Sequence, residues 1–349
     1  MFARSTAVLF TILASAAAQA PTITSPAVHR TRTVWFVENE NPIGAEVGFA
    51  HEALAWTDET GKAFAGAKPG TRIALGAAVW AALETFTDLK FGDVAVKAGN
   101  HYAVLEKTKT GWSLGLLDPV AARKAQQPPG VAKDQKLTAS IPLRVEQKGD
   151  SALRAEWKNL DGGRAELTLQ FGPHTMRAEA AVAGAEKATA YSFPDARGAS
   201  RVSFGKNAFA VIDHGVPDWN EKTAGEAQQL TKGRRWRLGK DWATTLDTNV
   251  PLLLGDKPLA AGSWHLTLAR TDKGWNLVAS SAAADHVAKL DGFAADHVTP
   301  VLEVPVAVLP LDPPADKLLI RFANEGKGTV LTIAFGKEQL TVPVAAAKT

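Results

Sequence analysis

The chain has 349 residues, with 39 Lys and Arg against 36 Asp and Glu, and it contains no cysteine. The net charge of +3 comes from scattered basic residues, which argues against nucleic acid as a partner, because binding it needs concentrated Lys and Arg. With 46% hydrophobic and 21% charged residues, the composition is globular rather than disordered, and the absence of cysteine excludes disulfides.

Residues 1–20 have the features of an export signal. Arg4 supplies a positive charge, an apolar stretch follows at residues 7–18, and Ala18-Gln19-Ala20 is a small-x-small cleavage site. The apolar stretch is shorter than the roughly 20 residues that cross a bilayer. We therefore expect cleavage before Pro21, a periplasmic or extracellular location, and no membrane span in the mature protein.

A repeat at an offset of 163 residues is the most informative pattern. Leu75-Gly76 recurs as Leu238-Gly239, and Gly111-Trp112 recurs as Gly274-Trp275; over residues 75–116 the offset gives 14 identities in 42 positions. The pattern predicts a tandem duplication of one domain. The predicted division is an N-terminal segment at 21–45, a first repeat at 46–182, a linker at 183–199 and a second repeat at 200–345.

The apolar residues of each copy recur with a period of two, which is typical of strands. Residues 33–37 are apolar enough to add an edge strand. Further along, Trp264 alternates with Leu266 before a turn that ends in Gly274, which predicts a hairpin, and the first copy has its counterpart around Gly111. Because both glycines precede a tryptophan, we expect a positive φ at each.

Short strands and frequent turns predict an all-β fold: two tandem antiparallel β-sandwich or barrel-like domains that arose by internal duplication. Few stretches have a helical period. Helices are predicted only at residues 119–127, 220–230 and 282–290.

His286 and His297 are the most suggestive residues for a metal site. Each ends the sequence Ala-Ala-Asp-His, and the eleven residues between them are close to three helical turns. However, Asp291 and Gly292 interrupt the helix, and no His-x-x-x-His pair or suitably spaced carboxylate is present. We therefore predict no metal site and no cofactor, and interpret the two as solvated Asp–His pairs.

The sequence offers no convincing enzyme motif. It contains no Walker loop and no G-x-G-x-x-G. Gly111-Trp112-Ser113-Leu114-Gly115 has the G-x-S-x-G spacing, but it lies in the predicted hairpin rather than in the strand-turn-helix context of a nucleophile elbow. Acidic pairs such as Glu38 and Glu40 leave general acid–base chemistry open. Whether the protein is an enzyme stays uncertain, and the sequence favours a protein without enzymatic activity.

Ten tryptophans call for an interpretation. Trp112 and Trp275 recur at equivalent positions and are predicted core residues, as is Trp264. Trp56 and Trp219 lie in polar, loop-like settings. Two interpretations are left open for each: the side chain packs in a sheltered loop, or it is exposed and stacks on a sugar ring or a partner surface.

Polar residues that occur in one copy only are candidates for a function. The positions occupied by Ile73, Ala74, Ala78, Ala81 and Ala82 in the first copy are taken in the second by Trp236, Arg237, Asp241, Thr244 and Thr245. Arginine offers a planar set of donors to carboxylate or hydroxyl groups, and a tryptophan beside it offers a stacking face. These five residues are the predicted ligand site, although a structural pairing of Arg237 with Asp241 or Asp247 is the alternative.

Trp236-Arg237-Leu238-Gly239, Thr244-Thr245, Ala261-Gly262 and Gly274-Trp275-Asn276-Leu277 resemble a known family. It is the bacterial exported family catalogued as domain of unknown function 2911. The second copy resembles it over most of residues 200–340, and the first copy, which is degenerate, resembles it through the repeat. The resemblance implies a fold and an envelope location, and it implies no particular reaction.

The leading functional hypothesis is an exported, non-enzymatic binding or interaction protein of the cell envelope. Its partner would be a carbohydrate or an envelope protein. The alternative is a hydrolase of envelope glycans with its site between the two repeats.

Overall fold

The computed structural model describes residues 21–36, 44–129, 135–290, 294–326 and 328–347. The predicted export signal lies outside these residues, as do Glu38 and Glu40. Strands make up 62% of the structure and helices 9%, in several antiparallel sheets, which confirms the all-β, sandwich-like fold class. Among the described residues no helix is long and apolar enough to cross a membrane.

An N-terminal strand precedes the first half of the molecule, which we define as residues 28–182. The strands are β1 (Thr22–Thr24), β2 (Val28–Phe36), β3 (Ala45–Glu52), β4 (Arg72–Ala74), β5 (Ala81–Thr85), β6 (Leu89–Phe91), β7 (Val94–Val96), β8 (Gly99–Lys107), β9 (Trp112–Leu117), β10 (Leu137–Leu160) and β11 (Arg164–Val182). The helices are α1 (Asp58–Ala65) and α2 (Pro119–Lys124).

Two antiparallel sheets face each other in the first half. One has the strand order β2–β3–β5–β8–β9–β10, with β4 also paired to β8. The other has the order β7–β6–β11–β10. Strand β10 belongs to both, because its residues 137–143 pair with β9 and its later residues with β11. Buried side chains from both sheets, such as Trp35 and Trp157, form the core.

The second half, defined as residues 197–346, begins within a strand whose first residues, 189–196, still belong to the first half's sheet. The strands are β12 (Thr189–Gly205), β13 (Ala208–Gly215), β14 (Arg235–Arg237), β15 (Thr244–Thr248), β16 (Leu252–Leu254), β17 (Lys257–Leu259), β18 (Gly262–Thr271), β19 (Gly274–Ser281), β20 (Pro300–Pro305), β21 (Ala307–Glu325) and β22 (Gly328–Ala346). The helices are α3 (Glu221–Gln228) and α4 (Ala282–Val287).

The second half also consists of two facing sheets. One has the order β1–β12–β13–β15–β18–β19–β20, with β14 also paired to β18. The other has the order β17–β16–β22–β21. The core between them is separate from that of the first half.

Corresponding contacts occur in the two halves. The backbone N–H of Trp157 donates to Thr31 Oγ1 at 3.1 Å, and the backbone N–H of Phe322 donates to Ser200 Oγ at 3.0 Å. Each bond joins the two facing sheets of its half. The order of elements from β3 to β11 likewise matches that from β13 to β22, with β20 and β21 together in the place of β10.

Strand β12 connects the halves. Its residues 189–196 pair with β2, and its residues 197–205 pair with β13. The predicted linker, residues 183–199, therefore includes the beginning of this strand. Residues 33–36 of the predicted edge strand lie in β2, and residue 37 lies outside the described residues. Because β2 has β3 on one side and β12 on the other, the predicted edge position was wrong.

All three predicted helices are present, but the prediction that there were no others was wrong. Helix α1 begins after Thr57, whose Oγ1 accepts the N–H of Thr60 at 3.2 Å, and Asp58 and Glu59 in its first turn complement the helix dipole. Gly61 in the middle weakens the helical signal of this segment, and packing of Phe64 on the core compensates for it.

The two glycines before tryptophan differ. Gly274 has the expected positive φ, at 132°, whereas Gly111 does not adopt the left-handed region. At the first turn, Gly111 instead donates its N–H to Thr108 Oγ1 at 3.0 Å, and its carbonyl accepts the N–H of Thr108 at 2.9 Å. The expectation for Gly111 was wrong because a side-chain hydrogen bond closes that turn. The tryptophans that follow, Trp112 and Trp275, are both buried in the cores.

The halves pack against each other through the outer faces of their larger sheets. A third apolar cluster there contains Trp80, Tyr102 and Leu117 of the first half with Phe209 and Val211 of the second. The rings of Trp80 and Tyr102 stack with their centroids 4.7 Å apart. This contact places charged residues of both halves face to face.

Candidate functional site

Trp236, the first of the five predicted ligand-site residues, lies on β14 and is half-buried. Its ring packs against Phe335, Trp219 and Trp275, with centroid distances of 5.2, 5.8 and 6.5 Å. Arg237 follows on the same strand, where its backbone is opposite Thr267 of β18. Trp236 therefore belongs to an aromatic cluster at one end of the second half.

Asp241 faces the first half instead. Its backbone has a φ of 62°, and its Oδ1 accepts a hydrogen bond from Arg32 Nη2 at 3.3 Å. Arg32 also donates to Glu46 Oε1 at 2.7 Å. Asp241 is thus joined to an arginine that the sequence pattern did not connect with it.

Thr244 and Thr245 are both buried on β15. The hydroxyl of Thr244 donates to the carbonyl of Leu238, which ties β15 to the preceding loop. Thr245 lines a small cavity between the two halves. The structure therefore does not unite the five predicted residues in one site.

We name this small space the interface cavity; it has a volume of about 50 Å³, enough for a few water molecules. Its charged and polar lining comes from both halves and includes Arg30, Glu84, Tyr102, Asp213, Thr245 and Asp247.

Asp213 is buried in an ion-pair network at the interface cavity. It accepts hydrogen bonds from Arg197 Nε at 3.1 Å and Arg30 Nη2 at 3.4 Å, and Arg30 also pairs with Glu84. Burial raises the pKa of Asp213, but the charges of Arg197 and Arg30 outweigh it, so the pKa lies below its ordinary value. Asp213 is therefore held as a carboxylate.

Asp247 accepts two hydrogen bonds across the interface. One comes from the Tyr102 hydroxyl and the other from Arg123 Nε, which is 2.9 Å from Oδ1. Burial, followed by the nearby Asp247 charge, raises the pKa of Tyr102 well above its ordinary value. Asp247 is thus bound by two first-half side chains rather than left open to a ligand.

A second cluster of buried polar side chains lies on α4, β18 and β19. Asp285 Oδ2 accepts from Ser280 Oγ at 2.6 Å and lies 2.9 Å from His265 Nδ1. His286 is fully buried, which lowers its pKa well below the ordinary value, with the charges of His265 and Arg30 acting in the same direction.

The interpretation as two solvated Asp–His pairs was wrong for Asp285 and His286, because both are buried where α4 packs against β8, β18 and β19. The His286 ring lies 4.8 Å from that of Phe86. His297, by contrast, is exposed. Within the described ranges, no group of three or more His, Cys, Asp or Glu side chains is arranged to hold a metal ion.

An open groove of about 660 Å³ lies in the second half. We call it the aromatic groove and define it by Trp219, Ala227, Trp275, Phe335, Lys337 and Glu338. Arg270 and Asp316 also line it, and the Arg270 guanidinium lies 4.8 Å from the centroid of the Trp275 ring. Apolar ring faces at the floor and charges at the rim are what small-ligand and side-chain sites combine.

Trp219 takes part in both the floor of the aromatic groove and the packing below it. It is half-buried, and its ring lies 4.9 Å from that of Phe335. A side chain at Gly336, whose φ is 52°, would collide with the Trp219 indole. Two interpretations of Trp219 were sheltered packing and an exposed stacking face. The structure supports part of each, because the ring packs on Phe335 and the side chain also lines the aromatic groove.

Arg270 and Lys337 were missed by the sequence reasoning. A signal for Arg270 exists: it lies four residues before Gly274, and at the same place before Gly111 is Lys107, which lies 5.3 Å from the Trp112 ring. The repeat thus carries a basic residue over the tryptophan in each copy. Lys337 has no comparable signal in the sequence.

Comparison with known families gives one match. Residues 177–344 match the model of a family described as "Protein of unknown function (DUF2911)". This range begins within β11 and covers β12 to most of β22, so it corresponds to the second half. No curated protein and no solved structure matches the chain.

Proposed function

We propose that this chain is an exported, non-enzymatic binding protein of the cell envelope, with its ligand site in the aromatic groove. The single observation that carries the proposal is the groove itself, which combines the rings of Trp219, Trp275 and Phe335 with a charged rim. Residues 1–20 support the envelope location through the pattern of an export signal.

We further propose that the chain is a tandem duplication of the DUF2911-type domain. The matching order of elements supports it, as do the paired contacts of Trp157 with Thr31 and of Phe322 with Ser200. Superposition of the halves in a crystal structure tests this. An alignment in which Trp56 and Trp219 fail to coincide would exclude the duplication.

The hydrolase alternative receives less support from the geometry. A glycan hydrolase needs a carboxyl group that holds its proton near neutral pH and room for a sugar ring. At the interface cavity Asp213 is paired with two arginines and Asp247 with Arg123. The volume of about 50 Å³ is small for a sugar.

Binding and turnover can be separated in one experiment. We would titrate the purified protein with N-acetylglucosamine oligomers and with short charged peptides, following tryptophan fluorescence, and assay the same mixtures for cleavage products. Saturable binding of a probe without cleavage is expected. An Ala227→Phe variant should lose that binding, because the new ring would fill the groove. Cleavage of either probe, or binding of neither, would overturn the proposal.

Location is tested by cell fractionation. The protein should be found in the periplasm or the medium and begin at Pro21. A protein that keeps Met1 and stays with the cytoplasm would overturn the envelope location.

A further inference from the structure

Helices α2 and α4 occupy equivalent places in the two halves. Each follows the second strand of a hairpin, β9 or β19, and the fifth residue is Arg123 in α2 and His286 in α4. Each of these side chains lies against an aromatic ring of its own half. The Arg123 guanidinium is 5.4 Å from the Tyr102 ring centroid, and the ring centroids of His286 and His265 are 5.2 Å apart. The two helices can therefore be compared position by position.

The halves meet through equivalent faces. Their strand registers coincide at an offset of 163 residues: Glu84 is opposite Asn100 on β5 and β8, and Asp247 is opposite Ser263 on β15 and β18. Asn100 Nδ2 donates to Ser263 Oγ at 3.4 Å, so this position contacts its own counterpart. Such a self-contact is what an approximate twofold axis produces. The interface therefore has two matching sides, one at α2 and one at α4.

On the α2 side, the contact between the halves is a charged pair. Arg123 Nε donates to Asp247 Oδ1 at 2.9 Å, and the Tyr102 hydroxyl donates to the same carboxylate. A guanidinium keeps its charge throughout the range in which histidines titrate. The basic partner of this pair therefore does not change its charge between pH 8 and pH 5.

On the α4 side, the contact between the halves is made by rings. The His286 ring lies 4.8 Å from Phe86 of the first half and 6.0 Å from Trp242, and the latter two rings are 5.4 Å apart. His286 is fully buried, and within the described residues neither of its ring nitrogens has a hydrogen-bond partner. The closed contact therefore holds His286 as an uncharged imidazole.

Positive and titratable groups dominate the surroundings of His286. They are His101 of β8, His265 of β18 and Arg30 of β2, together with Asp285 of α4 itself, whereas β19 carries no titratable residue. Burial is the main cause that lowers the pKa of His286 well below its ordinary value, followed by the charges of His265, Arg30 and His101. A positive charge on His286 is thus unfavourable as long as α4 stays packed.

The carboxylates nearby are already bonded to other groups. Asp285 Oδ2 lies 2.9 Å from His265 Nδ1. Glu84 pairs with Arg30. An imidazolium needs an acceptor for each of its two N–H groups. His286 therefore takes up a proton only when α4 has moved away from β8 and water has reached the ring.

We infer that the contact of His286 with Phe86 and Trp242 is an acid-sensitive latch, which opens in a mildly acidic medium while the α2 side stays closed. The inference goes beyond the proposed binding function. Opening exposes the rings of Phe86 and Trp242 and the face of β8 under α4. The interface thus has one side with a permanent charge and one side that responds to pH.

The direction of the response follows from proton linkage. In the open state His286 lies in water and takes up a proton near pH 6.5, whereas in the closed state its lowered pKa postpones the uptake to a lower pH. The stability of the closed latch is therefore complete above pH 6.5 and is lost as the pH falls toward the lowered pKa. Uptake of one proton favours opening about 30-fold more at pH 5 than at pH 7.5.

Hydrogen exchange of the full-length protein tests the latch. Mass spectrometry compares the amides of residues 282–290, around α4, with those of residues 119–127, around α2, in one sample, so that the pH dependence of the chemical exchange cancels. The ratio of the two exchange rates is expected to rise about 30-fold from pH 7.5 to pH 5. His286→Phe, whose ring takes up no proton, should keep the ratio constant. His297→Gln, at an exposed position, should behave like the unchanged protein.

The remaining outcomes decide against the latch. A constant ratio in the unchanged protein, or an equal rise in His286→Phe, would overturn the inference. If His286→Phe does not fold, His286→Met serves instead, with the same expectation. His214→Gln removes a different buried histidine and should keep the rise. Loss of the rise in His214→Gln would assign the opening to His214 and overturn the inference.

Discussion

Phe64 is the central ring of the aromatic cluster in the first half. Its ring contacts Trp56, Trp112, Phe171 and His174, and only 7% of the residue is exposed. In the second half the same helix position is Ala227, and the ring of Trp236 contacts Trp219, Phe335 and Trp275 instead. The two halves therefore complete their aromatic clusters from different elements, a helix in the first and a strand in the second.

Removing the Phe64 ring should be costly. Phe64→Ala is expected to lower the free energy of unfolding by about 3 kcal/mol or more, because the lost transfer energy adds to that of the cavity left behind. Urea denaturation measures it. Val120→Ala on α2 is the control, since Val120 is 67% exposed and should cost no more than about 0.5 kcal/mol. A loss at Phe64 as small as the control would contradict the packing described.

His214 makes stability depend on pH. Its Nε2 accepts the N–H of Ile320 at 3.2 Å, and burial followed by the Arg197 charge lowers its pKa from 6.5 to about 4. The unfolded chain takes up this proton near pH 6.5 and the folded protein only near pH 4. The stability linked to His214 is thus complete above pH 6.5 and is lost as the pH falls toward 4.

The expected size of the His214 effect is roughly 2 kcal/mol at pH 5 relative to pH 8. In His214→Gln the side chain cannot take up a proton, so the urea midpoint should fall less steeply between pH 8 and pH 5. Parallel pH curves for the two proteins would show that His214 does not titrate as described.

At the scale of elements, the two hairpins with Gly before Trp make a matched pair. Gly274 has a φ of 132°, whereas Gly111 is closed by Thr108 and has no need for glycine's left-handed range. Gly274→Ala should therefore lower the free energy of unfolding by about 1 to 2 kcal/mol more than Gly111→Ala. Thermal or urea unfolding compares them, and equal losses would contradict the difference between the turns.

These elements also show which features of the fold can be predicted from the sequence and which cannot. Alternation around Trp264 and the Gly-Trp pairs predicted the hairpins, because a period of two and a turn residue are local signals. Helix α1 was missed, since Gly61 obscures a segment whose helix depends on the tertiary contacts of Phe64. Trp236 was found because it differs from Ile73, yet its partners Phe335 and Trp219 are distant in the sequence.

At the scale of the whole molecule, buried ion pairs join the halves. Arg30 and Asp213 are separated by 183 residues, and Arg123 and Asp247 by 124. No periodicity or motif links such positions, so the interface cavity could not be predicted from the sequence. Only the closing of two sheets onto each other brings these charges together.

The Arg123–Asp247 pair should behave as a coupled unit. Its side chains are 9% and 22% exposed, so each single change to alanine leaves a largely buried charge with fewer partners. A double-mutant cycle should give a coupling energy of about 1 to 3 kcal/mol in unfolding. Strictly additive losses would mean that the halves are not held together by this contact.

The pairing of the N-terminal strands has a consequence for the order in which the protein is made. Thr22 of β1 pairs with Ser203, and β2 pairs with the beginning of β12, so these strands must wait for partners synthesised well over a hundred residues later. Until β12 has been made, the first half has a sheet edge that is still unpaired, which is a site for association with other chains. Strand β12 then completes the pairing of β2 in the first half and gives β1 and β13 the partner on which the second half's sheet is built.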